Sequence, residues 1–133
     1  MADPSRSVPW LEWPQKMAAN LFNVMETTDY AAERPYQLGL PMEPNGRGDT
    51  MRHLAWAAEM QRQHPWLAGM VLNGHEVLGM VQGQPLAEAR HDLGVNRVGR
   101  AIGTRSQSRA DTEAWTGEAL DRLVPPPRQF SGR

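Results

Sequence analysis

The sequence predicts an all-α fold, a small orthogonal bundle of about four to five helices with extended, Pro-rich N- and C-terminal arms. Three observations carry this. Apolar residues recur at helical spacing through the middle of the chain, and no segment alternates convincingly as a strand does. The prolines crowd the ends, with Pro4, Pro9, Pro14, Pro35, Pro41 and Pro44 in the first third and Pro125, Pro126 and Pro127 in the last stretch. A length of 133 residues leaves room for one domain with one modest core.

Taken in order, residues 1–13 are expected as an extended arm made adhesive by Val8, Trp10, Leu11 and Trp13. Pro14 suits a first helical position, and Gln15 to about Glu26 spaces Met17, Leu21, Val24 and Met25 along one helical face. Residues 27–48 then read as a long irregular stretch ending in the turn cluster Pro44-Asn45-Gly46-Arg47-Gly48, so 14–48 is a helix plus loop. A loop that long is uncommon inside a compact domain, so it should wrap the helices or lie against another molecule.

Residues 49–123 are expected as the helical core. Asp49 can cap a helix from Thr50 to Gln63, with Met51, Leu54, Ala55 and Ala58 as its apolar stripe. Pro65 opens a helix over about Trp66 to Val81 that carries Gly69, Gly74 and Gly79. Each glycine costs about 1 kcal/mol relative to alanine, which suits close helix packing. A third core helix runs from about Pro85 to Ile102, with a break expected near Gly94, and its Gly99 and Gly103 are spaced to admit a neighbouring helix. Ser108 or Asp111 can cap a last helix that ends near Leu123, where Val124 and three prolines stop it. Residues 124–133 form the Pro-rich tail.

Composition excludes several functions. With 14 Lys+Arg against 15 Asp+Glu, no overall field draws the chain to nucleic acid or membrane. There is no cysteine, hence no disulfide, thiol catalysis or Cys-ligated zinc. No apolar run approaches the roughly 20 residues of a membrane span, and the N-terminus lacks the pattern of a secretion signal. Synthesis in a cytoplasm is expected.

Chemistry concentrates in one set of polar residues: Arg52, His53 and Trp56, then His75 and Glu76, then Asp92, Asn96 and Arg100. Residues three or four apart share a helical face, so three helices can bring these groups together. His53, Glu76 and Asp92 are the candidate catalytic acid/base groups. Arg52, Trp56, His75, Asn96 and Arg100 are candidate binding residues, the arginines suited to gripping a carboxylate or phosphate. The same residues can instead form a buried network that fixes helix packing, with Asp92 accepting from His53 or Arg52 and Glu76 paired with Arg100. The imidazole, carboxylates and amide could also ligate a metal. Gly79-Met80 breaks the H-E-x-x-H spacing after His75-Glu76, however, and no Cys/His zinc spacing is present, so no metal ligand or cofactor is expected.

Arg52-His53-x-x-Trp56, His75-Glu76, Asp92-x-x-x-Asn96 and Gly99-Arg100-x-x-Gly103 resemble a domain of unknown function in bacterial and phage proteins, over residues 49–103. That family tends to carry paired asparagines where this chain has Val95-Asn96, and a polar residue where it has Ala57. The resemblance implies an all-helical fold and a phage setting, and it brings no activity with it.

Two functional expectations follow. The first is a small structural subunit of a bacteriophage particle, near the tail, portal or ejection apparatus. It would dock in multiple copies on other virion proteins through its arms, with Trp10 and Trp13 at the interface. The alternative is a small hydrolase, cell-wall degrading or metal-assisted, built on His53, Glu76 and Asp92. That alternative requires these groups to face a solvent-reachable cleft. Arg90, Arg97, Arg100, Arg105 and Arg109 make residues 90–109 locally basic, a weaker signal for phosphate contact. Arg47-Gly48-Asp49 matches an adhesion tripeptide, but a helix cap is the better use of Asp49.

Overall fold

The computed structural model describes residues 13–69, 83 and 86–128. Among these residues there are five helical segments: α1 (Trp13–Gln37), α2 (Arg47–Gln63), α3 (residues 65–69), α4 (Leu86–Arg105) and α5 (Arg109–Leu123). No strand occurs among the described residues. The chain is an all-α bundle. Trp10, His75, Glu76, Gly74 and Gly79, with most of the proposed 1–13 arm and the end of the tail, lie outside the described residues. Residues 124–128 of the tail carry no helix.

Helix α2 is the centre, packing against α1, α4 and α5. Ten of its 17 residues are buried, more than one apolar stripe requires, and they are mostly small. Met51, Leu54 and Ala55 join Ala31, Val95 and Leu120 in one core cluster, while Ala57 and Met60 join Ala68 in a second.

Small residues let the partners approach closely. A Cβ placed on Gly99 would lie 2.6 Å from Ala57 Cβ, and one on Gly103 would lie 2.3 Å from the Ala58 carbonyl oxygen. Only hydrogen fits at these points, as the glycine spacing predicts. Thr50 meets His91, His53 meets Asp92, Ala57 meets Gly99 and Ala58 meets Gly103. The rungs ascend together, so α2 and α4 run in the same direction. Helix α4 passes Gly94 without interruption, correcting the expected break.

Helix α1 extends eleven residues past the expected end at Glu26, so the irregular stretch shrinks to residues 38–46. Its buried positions Thr27, Ala31 and Pro35 recur every fourth residue, but they are too small or too polar to register as an apolar stripe. Pro35 lacks an N–H and stands within the last turn. There Leu40 N–H donates to Pro35 O at 2.9 Å and Gly39 N–H to Tyr36 O at 3.1 Å, with Gly39 at φ +65°. This left-handed glycine closure satisfies the last carbonyls. Trp13, placed in the arm by its sequence context, is the first residue of α1.

Asp49 is not the cap of α2. The N-cap is Gly46, and Asp49 lies in the first turn, reaching back to accept the Asn45 N–H at 3.1 Å. The loop before it is seated by Gly48, whose N–H donates to Pro41 O at 3.1 Å and whose missing Cβ leaves room for Pro41 and Met42. Gly48 is buried, and Arg47 binds Asp121 at 2.8 Å and the Val124 carbonyl, an arrangement unsuited to a displayed adhesion loop. Ser108 caps α5 as expected, its Oγ accepting Asp111 N–H at 3.2 Å.

Candidate functional site

His53 and Asp92 are 39 positions apart in sequence, and the parallel contact of α2 with α4 brings His53 Nε2 to 3.6 Å from Asp92 Oδ1. Asp49, one turn before His53, places its Oδ1 3.8 Å from the same nitrogen. Ligand atoms from Asp49, His53 and Asp92 all lie within 4.8 Å of one another. His53 and Asp92 are buried among helix atoms, yet both border an open cleft of about 360 Å³, completed by Asp49, Arg52 and loop residues 42–45. The rim of the cleft is therefore the loop that Gly48 and Asn45 hold against α2.

Arg52 occupies the mouth. Its Nη2 donates to Asp49 Oδ1 at 2.7 Å, and its side chain is 47 % exposed. Asp49, not Asp92, is thus the carboxylate that receives Arg52. Asp49 is the group that sequence reasoning missed, because its local role at the helix start concealed its position one turn from His53. A second recess of about 230 Å³ lies behind Arg52 and His53, walled by Thr28, Ala31, Ala32 and Trp56. The arginine and histidine thereby stand between a polar cleft and an apolar one.

The other nominated residues separate. Arg100 turns to Gln61, its Nε donating at 3.2 Å, and its guanidinium lies over Gly69. Asn96 is 2 % exposed on α4, one turn beyond Asp92, and its Oδ1 has no partner among the described residues. Of the basic run, Arg105 stacks on Trp115 at 5.4 Å and Arg109 lies over the Tyr30 ring at 4.1 Å, so these cations are engaged within the fold.

A second polar cluster escaped the sequence reading. Glu59, fully buried on α2, accepts from Arg62 Nη2 at 2.7 Å, Gln63 Nε2 at 2.8 Å, Thr112 Oγ1 at 2.6 Å and Arg109 Nε at 3.3 Å. Burial pushes its carboxyl upward, but the hydrogen bonds from Arg62, Thr112 and Gln63 outweigh it and hold the pKa at about 2. Nearby, Tyr30 Oη donates to Glu113 at 2.9 Å. Burial, then that carboxylate, raises the phenol above its ordinary range. The signal for Glu59 is a charged residue in register with Met51 and Ala55 on an apolar face.

A larger groove of about 560 Å³ runs between α4 and α5. Its charged groups are spent on neighbours, Arg122 on Glu118 at 2.7 Å and Arg105 on Trp115. No helix among the described residues is long and apolar enough to cross a membrane. Comparisons with protein families, with characterised proteins and with solved structures yield no match, so the functional argument rests on this geometry.

Proposed function

We propose that the protein is a small hydrolase acting at the cleft of His53 and Asp92. The observation that supports this reading is the 3.6 Å approach of imidazole and carboxylate at the wall of an open cleft. A water held there against His53 loses a proton to the imidazole as its oxygen attacks the scissile centre. The carboxylates of Asp92 and Asp49 stabilise the imidazolium that forms. Arg52 at the mouth receives an anionic group of the substrate, and the imidazolium returns its proton to the leaving group. Bacterial cell wall is the proposed substrate. Purified protein should release soluble fragments from peptidoglycan, and His53→Ala and Asp92→Asn should lose that activity while still melting cooperatively. Undiminished turnover in His53→Ala rejects the reading.

A second reading, a docking subunit of a phage particle present in multiple copies, is supported by a different observation. Leu21, Phe22 and Met25 stand 62 %, 72 % and 55 % exposed on α1, an apolar patch of the kind that marks interaction surfaces. Deletion of residues 1–13, or Phe22→Glu, should block incorporation into particles without unfolding α2, α4 and α5. Normal incorporation of both variants removes this role. The two readings are compatible, since a particle can carry a wall-opening activity.

A further inference from the structure

We infer that Asp49, His53 and Asp92 form a divalent-cation site, with zinc or manganese as the fitting class of ion. The inference rests on the same cleft as the proposed hydrolase; with an ion bound, His53 Nε2 and the two carboxylates would hold it, and the ion would take over the activation of water from the imidazole. The sequence admits a metal at the His53/Asp92 constellation; Asp49, one turn before His53 on α2, completes the set with Asp92 from α4.

The geometry carries the argument. His53 Nε2 lies 3.6 and 3.8 Å from the two carboxylate oxygens, beyond the usual N–H···O range of about 2.7–3.2 Å. Tetrahedral ligands at about 2.0–2.1 Å from zinc stand roughly 3.3 Å apart. The two imidazole–carboxylate spacings are thus within about half an ångström of that separation, and all three ligand atoms lie within 4.8 Å of one another. All three are borne on helices, and Asp49 is further oriented by the Asn45 N–H on its other oxygen, as carboxylate ligands commonly are. The set opens on the cleft, leaving a position for water, as in catalytic rather than structural sites.

A second observation points the same way. Asn96 Oδ1, buried and without a partner among the described residues, follows Asp92 by one turn on the same face of α4. A buried acceptor of this kind suits an ion or its bound water. One imidazole and two carboxylates without sulfur match zinc or manganese better than calcium, which takes six to eight oxygens.

Arg52 is the competing cation, since it already holds Asp49 Oδ1. This gives a test that a purely structural cluster does not pass. Calorimetric titration of the full chain with Zn²⁺ and with Mn²⁺ should show one saturable site for at least one ion. Asp92→Asn and His53→Gln should weaken it at least about tenfold, whereas Arg52→Ala, which keeps all three ligands, should tighten it severalfold. Absence of saturable binding for both ions overturns the inference, as does wild-type affinity in both ligand variants. Unchanged affinity in Arg52→Ala also overturns the placement at Asp49. Peptidoglycan hydrolysis that survives chelation undiminished removes the cation and leaves the hydrolase, while saturable binding in a protein without hydrolytic activity does the reverse.

Discussion

Helix α2 carries two buried polar clusters six residues apart, and they are built on opposite principles. Around Glu59, four side chains converge on one carboxylate, three of them at 2.6–2.8 Å. Around His53, the carboxylates stand 3.6 and 3.8 Å away and the group borders an open cleft. The first cluster ties α2 to α5 and has no room to do anything else. The second stands at the wall of a cleft, where a ligand can reach it. Buried polarity alone therefore does not identify a site; donor spacing and access to solvent separate the two.

Removing Glu59 should give the largest effect. Glu59→Ala leaves Arg62, Arg109 and Thr112 around an emptied position, and breaking a buried pair in this way costs about 3–5 kcal/mol. Thermal melting should show a drop of many degrees, whereas His53→Ala should lower the midpoint far less. Equal losses would erase the distinction between the clusters.

Acid should discriminate between them as well. The folded pKa of Glu59 is about 2 against an ordinary 4.5. Its contribution is complete above the unfolded value and is lost as pH falls from about 4.5 towards 2. The shift corresponds to something on the order of 3 kcal/mol. Denaturant midpoints measured from pH 6 to pH 2 should fall steeply in wild type and much less in Glu59→Gln. Parallel curves would assign the acid sensitivity to other carboxylates.

A smaller effect is expected from Gly103→Ala. The new methyl meets the Ala58 carbonyl oxygen at 2.3 Å, and overpacking of this kind costs about 1–3 kcal/mol, read as a lower denaturant midpoint. The same substitution at Gly117, which has open space around it, should be neutral or stabilising. Smallest of all, Ser108→Ala removes the cap of α5 and should cost about 1 kcal/mol, without altering cation binding at the cleft.

Where the structure was legible in the sequence, local chemistry governed it. Ser108 was recognisable as a cap, and Gly99 and Gly103 announced a close helix contact. The continuation of α1 was not legible, because Thr27, Ala31 and Pro35 bury a face without large apolar residues and Pro35 reads as a break. Asp49 was misassigned by the same local logic, since an acid after a turn cluster resembles a cap whether or not a histidine waits one turn on. The His53–Asp92 meeting depended on how α2 and α4 align, which no single helix records. Glu59 was passed over because Arg62 and Gln63 alone read as a solvated charge pattern on α2, and its burial follows only when Arg109 and Thr112 of α5 close over it.

The close contact at Gly99 also governs the cleft above it. Ala57 and Gly99 are the rung that follows His53 and Asp92 between the same two helices, so the hydrogen on Gly99 acts as a shim setting the gauge of the jaw. A single methyl there would pry the helices apart and open the imidazole–carboxylate gap by tenths of an ångström. Zinc and manganese differ in size on that scale. The selectivity of the site would then be tuned from a residue that has no side chain and never touches the ion.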